Sequence, residues 1–371
     1  MANFAELGIS EAFIKALLEN KIEVPSEIQK KVISAVMGKQ TDLVAQAQTG
    51  TGKTAAFGLP ILEAIDSKNP KIQTLVLAPT RELCQQIAKQ LFKFTKYCDH
   101  KIFTNAIYGG ANMSEQIAGL QRPTHIVVAT PGRLIDLLDQ KAVDLSFVNT
   151  IVLDEADEML SMGFKEAIDR ILHFTNGQRN TWLFSATMPA GIKELIKTYM
   201  SADAINIVTD SKNVVNKGIE HMFVLCEDDI KLKTLMSFLA SEGANRGVIF
   251  CRTKASVQFL VQKLQAKGKS VEGIHGDLTQ PERDKVMRAF KKENIQTLIA
   301  TDLAARGIDV EGLTYVVHYE LPDQIEYYTH RSGRTARAGK KGVSLILINP
   351  KDVSKIKDLE TKLHITIKRI K

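Results

Sequence analysis

Ile151-Val152-Leu153-Asp154-Glu155-Ala156-Asp157 passes from three apolar residues directly into a group of four, three of them acidic. A short apolar run without alternation is a strand covered on both faces. Charges placed at its end are costly unless they serve a ligand or a metal. A second stretch is built the same way: Gly50-Thr51-Gly52-Lys53-Thr54 also follows an apolar run. Its glycines let backbone N–H groups approach phosphate oxygens, Lys53 brings a cation, and Thr54 offers a hydroxyl to Mg²⁺. The acidic stretch would supply one carboxylate to the metal and another to orient a water. Taken singly, the first could be a glycine-rich turn and the second an acidic surface turn, since the strict loop pattern has glycine where this chain has Ala47. Together they predict a site that binds and hydrolyses a nucleoside triphosphate.

Similar apolar runs recur at Leu75-Val76-Leu77, Ile126-Val127-Val128 and Trp182-Leu183-Phe184. In the second half they are Val248-Ile249-Phe250, Leu298-Ile299, Val316-Val317 and Leu345-Ile346-Leu347-Ile348. Amphipathic helical stretches separate them, which predicts an α/β fold of mostly parallel sheets covered by helices on both faces. Polar clusters follow the runs directly: Pro79-Thr80-Arg81-Glu82, Thr130-Pro131-Gly132-Arg133, Ser185-Ala186-Thr187 and Thr301-Asp302. Open parallel sheets bind ligands beyond the carboxyl ends of their strands, so these groups are expected along one edge of each sheet. Two such edges facing one another would make a cleft.

At the front, Ser10 is a candidate N-cap with Phe13, Ala16 and Leu17 on one helical face. Pro25 and Ser26 open a second helix whose stripe is Ile28, Val32 and Val36 and whose stop is Gly38. A polar stretch without helical period, from Asp210 to Gly218, reads as a linker. The expected division is a front region 1–30, a first domain 31–208, a linker 209–217 and a second domain 218–371.

The 371 residues suffice for two domains, each with its own core. With 44% hydrophobic and 25% charged residues the chain reads as an ordinary globular protein. No apolar run reaches transmembrane length, and the start lacks the basic and apolar blocks of a signal peptide. Cys84, Cys98, Cys226 and Cys251 show no paired metal-ligand spacing and are expected to be reduced thiols of a cytoplasmic protein. Residues 1–210 hold 21 Lys and Arg against 23 Asp and Glu, whereas residues 211–371 hold 28 against 19. The basic half suggests a polyanion partner, a solvated lysine-rich surface being the alternative.

In order, these clusters resemble the signatures of the DEAD-box RNA helicases of superfamily 2, in a minimal, bacterial-like two-domain form. Pro25-Ser26-Glu27-Ile28-Gln29, with Phe4 upstream, is similar to the Q motif, and Ala47 to Thr54 to motif I, which accounts for the missing first glycine. Asp154 to Asp157 and Ser185-Ala186-Thr187 are similar to motifs II and III. Val248 to Cys251, Gln280 with Arg283, Ala300 to Asp302, Ala305 to Asp309 and His330 to Arg337 match in the second half. The resemblance covers nearly the whole chain and implies two tandem RecA-like domains. Two departures stand in the Q motif: Lys21-Ile22 replaces a glycine-aromatic pair, and Ser26 replaces threonine.

What the resemblance implies is an RNA-stimulated ATPase with ATP and Mg²⁺ as cofactors. Gln29 would read the adenine edge, or else cap its helix; Phe4 would stack on the base, or else pack in the core. Thr49, Gly50, Thr51, Gly52, Lys53 and Thr54 would hold the phosphates, with Thr54 and Asp154 on the metal and Glu155 activating water. Asp157 would couple to Ser185 and Thr187 across the cleft, unless the hydroxyls form a local brace. Gly307 and Asp309 would contact the nucleotide, the carboxylate accepting from the ribose hydroxyls. Arg334 and Arg337, three apart on a helical turn, would project together as arginine fingers, Arg306 and Arg331 would brace the domain interface, and His330 would join the coupling residues. Thr80, Arg81, Gly110, Thr130, Gly132, Arg133, Gly276, Arg283 and Thr301 would contact an RNA backbone without reading bases. The expected function is local unwinding of short duplexes by a monomeric core. An ATP-gated RNA clamp or assembly factor and a DNA translocase are the competing readings.

Overall fold

The computed structural model describes residues 3–48, 50–175, 179–209, 218–305, 312–336 and 340–370. The chain divides into two compact units, Met1–Thr209 and Asp210–Lys371. Of the sequence expectations, Thr49, Arg306, Gly307, Asp309, Arg337 and nearly all of the linker lie outside the described residues.

The first unit is a seven-stranded parallel sheet of β1 (Leu43–Gln46), β2 (Thr74–Leu77), β3 (Thr104–Ile107), β4 (Ile126–Ala129), β5 (Thr150–Leu153), β6 (Asn180–Ser185) and β7 (Ile205–Val208). Their order across the sheet is β3-β4-β2-β5-β6-β1-β7. The runs that are apolar at every position divide between two faces, as strand geometry requires. Val76, Val128 and Val152 join one core with Phe57, Ile87 and Phe94 from the helices, and Leu75, Leu77, Val127 and Ile151 join the other with Leu134, Ile168 and Ile192. Register keeps the strand ends level: Leu77 lies beside both Ala129 and Leu153, and Gln46 beside Ser185.

The front helices form as the sequence predicts. In Glu11–Glu19, Phe13, Ala16 and Leu17 are buried, although the Ser10 hydroxyl makes no capping bond and its amide donates instead to Glu63 Oε1 at 2.6 Å. In Glu27–Val36 the capping box is complete, with Ser26 Oγ accepting from the Gln29 amide and Gln29 Oε1 accepting from the Ser26 amide at 2.8 Å.

The second unit repeats the topology. Strands β8 (Ile219–Leu225), β9 (Gly247–Cys251), β10 (Val271–Ile274), β11 (Thr297–Thr301), β12 (Tyr315–His318), β13 (Gly342–Ile348) and β14 (Lys368–Arg369) are ordered β10-β11-β9-β12-β13-β8-β14. Shifting each number by seven reproduces the first sheet. All four cysteines are free. Among the described residues no helix is long and apolar enough to cross a membrane.

A buried polar network ties this sheet to the helix Ile325–Ser332. His318 Nε2 meets Ser332 Oγ at 3.2 Å and Ser344 Oγ at 3.1 Å, its ring stacks on Tyr328 at 4.6 Å, and the Tyr328 hydroxyl meets His221 Nδ1 at 2.6 Å. Burial lowers the pKa of His221 from 6.5 to about 4, and burial, then Arg331 and His221, holds His318 well below 6.5. Below 6.5 the unfolded chain therefore binds protons that the folded imidazoles refuse, and stability falls as pH drops from 6.5 toward 4. Each histidine should remove about 1.4 kcal/mol per pH unit in that window. Thermal unfolding followed from neutral pH to about pH 5 should fall less steeply in His221→Phe than in the parent chain. Equal slopes would count against the network as the cause.

Candidate active site and nucleic-acid interface

A parallel strand hands its chain to a crossover helix, so the helices that directly follow strands in the first unit begin where the strand ends are level. The helices Lys53–Ala64, Arg81–Phe94, Pro131–Asp139 and Ala156–Ser161 start on one edge, after β1, β2, β4 and β5. Helix starts leave backbone N–H groups without intrahelical partners and carry partial positive charge, which suits phosphate oxygens.

The helix Lys53–Ala64 is entered through Gly50 (φ 79°) and Gly52 (φ 92°). A side chain at Gly52 would also collide with Gln29, whose Nε2 lies 2.4 Å from the ideal Cβ position. Gln29 holds this loop: its Nε2 donates to Gly52 O at 3.1 Å, while the Ser26 hydroxyl donates to Thr51 O at 2.9 Å. The Gln29 amide is therefore both a cap and a brace. It keeps one N–H and one oxygen lone pair beyond these bonds, the pair of functions that an adenine edge requires. Lys53 is 6% exposed and its Nζ donates to Ala47 O at 3.3 Å.

Asp154 is 2% exposed and accepts from the Glu155 amide at 3.0 Å. Burial raises its pKa from 3.8 to about 6; Lys53 opposes the shift, and Glu155 and Asp157 add to it. Glu155 adopts the left-handed conformation at φ 51° and ψ 50°. A non-glycine residue pays about 1–2 kcal/mol there. Such strain persists where the surrounding structure fixes it, commonly at functional sites.

The residue set fits a magnesium nucleotide. Among the described residues no group of three or more His, Cys, Asp or Glu could hold a metal ion. Thr54 and Asp154 alone would leave most of the coordination sphere to phosphate oxygens and water, as Mg²⁺ prefers. A cation there would also favour the charged form that burial disfavours in Asp154.

Asp157 and the residues after β6 come together. Asp157 Oδ2 accepts from the Thr187 amide at 2.9 Å and from its hydroxyl at 2.7 Å, and Ser185 Oγ donates to Thr187 O at 2.6 Å. Because β5 and β6 are neighbours in one sheet, this coupling is internal to the first unit rather than across a cleft. Phe4, 3% exposed, belongs to the core cluster with Phe13 and Leu17. Stacking on a base would require it to uncover a face.

The candidate RNA contacts also cluster by edge. Thr80 caps Arg81–Phe94, its hydroxyl accepting from the Leu83 amide at 3.3 Å. Arg81 lies over the Tyr108 ring at 5.3 Å, and Arg133 Nη1 donates to Ala111 O at 3.1 Å. These two arginines thus hold the loop that carries Gly110, beside the Thr130–Gly132 helix start. In the second unit Gly276 follows β10 and Thr301 ends its neighbour β11, while Arg283 Nη2 donates to Ala304 O at 2.7 Å.

Arg331 does not brace outward. It is 2% exposed, grips Asp302 through Nε and Nη2 at 2.5 and 2.6 Å, and donates from Nη1 to Glu320 O at 2.7 Å. Its partner Asp302 was given no role from sequence, although it too is a charge at a strand end. His330, on the same helix, is half-buried. Arg334 follows the helix, which ends at Ser332, so helical spacing does not aim it. A turn does: the Arg334 amide donates to Arg331 O at 3.0 Å, Ala336 is left-handed at φ 55°, and Thr335 Oγ1 donates to Leu313 O at 2.6 Å. Gly342 leaves room for this turn, since a Cβ there would lie 2.1 Å from Thr335 Oγ1.

Comparison with known proteins agrees with this geometry. The family model for DEAD/DEAH box helicases matches residues 26–195, and that for the helicase conserved C-terminal domain matches residues 230–339. The chain is 41% identical over 361 residues to the DEAD-box ATP-dependent RNA helicase CshA of Bacillus cereus, covering 97% of this chain and 68% of that one. It is 39% identical to the CshA of Geobacillus kaustophilus, covering 100% of this chain and 79% of the relative. Among solved structures, S. cerevisiae Dbp5 bound to RNA and ADP BeF3 matches with a TM-score of 0.91 and 29% identity, over 100% of this chain and 96% of that chain. Mss116p bound to ssRNA and AMP-PNP matches with a TM-score of 0.88 and 26% identity, over 100% of this chain and 80% of that chain. Two tandem RecA-like sheets, the ordered motifs at their strand ends and both family models in sequence order lead to one conclusion: the chain belongs to the DEAD-box helicase family.

Proposed function

We infer that the chain is an ATP-dependent RNA helicase that holds the RNA backbone without reading bases and opens short duplexes locally. The observation that carries this reading is the single sheet edge of the first unit. There a phosphate loop braced by Gln29, a buried Asp154, a strained Glu155 and the helix starts of the RNA-contact segments, the first of them capped by Thr80, stand together.

In this reading residues 1–30 form the Q-motif region, 31–208 the ATP-binding domain, 209–217 the linker and 218–371 the C-terminal helicase domain. Lys53 and the amides from Thr49 to Thr54 hold the β- and γ-phosphates. Thr54 and Asp154 would hold Mg²⁺, whose chemistry is to neutralise phosphate charge. Glu155 takes a proton from the attacking water. Asp157 and Thr187 transmit the state of that edge to the segment after β6. Arg334, with Arg337, stabilises the charge on the transferred phosphoryl group, and Gly307 and Asp309 bind the nucleotide. The contacts proposed at Thr80, Thr130, Gly132, Gly276 and Thr301 are small side chains and amides, which favours phosphates and 2′-hydroxyls over base edges. We further propose a monomeric core working in the cytoplasm.

Three measurements test these roles. Glu155→Gln should bind ATP and RNA while turnover is lost, because the amide cannot accept a proton; near-normal single-turnover hydrolysis would remove Glu155 from the mechanism. Gln29→Ala should raise the ATP requirement and weaken discrimination against GTP. If selectivity holds while affinity for both nucleotides drops, the residue acts only as cap and brace. Arg334→Ala in the full chain should leave ATP binding within a small factor and lower RNA-stimulated hydrolysis by about 10³–10⁵. Arg334→Lys should recover little of it, since an ammonium lacks the planar fork. A mild Arg334→Ala phenotype at saturating ATP would end the finger assignment.

A further inference from the structure

We propose that the first unit carries a second binding surface for single-stranded nucleic acid, at the end of its sheet opposite the motif edge. A groove of 1170 Å³ lies where β3 begins and the helix Arg81–Phe94 ends. That 14-residue helix is about 20 Å long, so the groove is separate from the contacts at Thr80 and Arg81.

The charge lining the groove is not what its surroundings dictate. Residues 1–210 are slightly acidic, with 21 Lys and Arg against 23 Asp and Glu, yet Lys93, Lys101 and Arg122 converge here. All three are exposed, and among the described residues none has an ion-pair partner. The one acid in the lining, Glu19, is already engaged by Lys96 and by the Tyr97 hydroxyl. The groove therefore presents uncompensated positive charge.

Two aromatic rings accompany it. Phe92 is 70% exposed and Phe103 is 42% exposed, although Leu91 and Phe94 beside Phe92 are fully buried and supply what the core needs. Phe103 is fixed by stacking on His125, with ring centroids 5.7 Å apart. Cations spaced along a groove with exposed rings are the combination that holds a single strand, through phosphate contacts and base stacking that tolerate any sequence. A peptide adding to the free edge of β3 would make no use of the cations unless it were acidic, and would leave the rings unexplained. The choice of RNA over DNA as occupant rests on the function proposed above. A strand leaving the motif edge could then continue along the same unit into this groove.

The test uses the full chain and fluorescent oligouridylates of about 8 and about 30 nucleotides, the longer one able to reach both surfaces. The charge-reversed variant Lys93→Glu/Lys101→Glu/Arg122→Glu should bind the longer oligonucleotide about tenfold more weakly and the shorter one within about twofold of the parent. Its salt dependence on the longer strand should become shallower by about 2 in log–log slope, from three lost phosphate contacts. Phe92→Ala/Phe103→Ala should weaken the longer strand without changing that slope. Parent-like binding of the longer strand by both variants, or equal losses on both lengths, would overturn the proposal. RNA-stimulated ATP hydrolysis by the parent separates the two failures. If it is present while the groove variants bind normally, only the groove is wrong; if the parent shows neither stimulation nor RNA binding, the function proposed above fails as well.

Discussion

Every arrangement at this sheet edge depends on one constraint: two parallel strands cannot be joined by a tight turn. The chain must cross over and re-enter from the opposite end, so each strand's carboxyl end feeds a new helix on the same side. With Leu77, Ala129 and Leu153 level in register, the helix starts that follow them are level too. The glycine loop, the two acidic residues and the segments proposed to contact RNA therefore share an edge because of the backbone's hydrogen-bonding geometry, before any side chain makes a specific contact. Side chains then refine the arrangement locally, as Ser26 and Gln29 do for the phosphate loop.

Burial sets the electrostatics of that edge. A carboxylate at 2% exposure is poorly solvated, and Lys53 offsets only part of the cost, which leaves Asp154 with a pKa of about 6. The second unit handles an equally buried charge differently. Arg331 has Asp302, Glu320 O and the face of Phe250, with its guanidinium 5.1 Å from the ring centroid. Its fork is fully engaged, so it serves the architecture of its own unit. The under-compensated Asp154 is instead the group suited to an incoming cation.

The central strands were legible because their positions are apolar on both faces. β1, β3, β7, β8, β10 and β14 were not singled out, for different reasons. All six lie at or next to sheet edges. β3, β8, β10 and β14 carry polar residues such as Asn105, Glu220, Glu272 and Lys368, and β14 has only two residues. β1 lies one strand in from the edge strand β7, and its run Leu43-Val44-Ala45 ends in a small residue before the polar Gln46, so it is less marked than the runs of β2, β4 and β5. The site motifs were legible as residue types at strand ends, whereas their partners were not. Neither the Arg133 bond to Ala111 nor the Arg331 pair with Asp302 follows from spacing, since both depend on how distant segments pack. The helical reading of the segment around Arg334 failed because Thr335 folds back onto Leu313, a long-range contact that local pattern does not carry.

The position of β1 bears on how the first unit is made. Leu43–Gln46 pair with Trp182–Ser185 on one side and Ile205–Val208 on the other, so the strand emerges early in synthesis while both of its neighbours arrive last. At usual translation rates the wait is roughly ten to thirty seconds. During that interval the segment leading into the phosphate loop has no strand to pair with, and its apolar residues remain available to chaperones or to wrong partners. Parallel order thus delays assembly of the edge proposed to bind nucleotide until nearly the whole unit has left the ribosome.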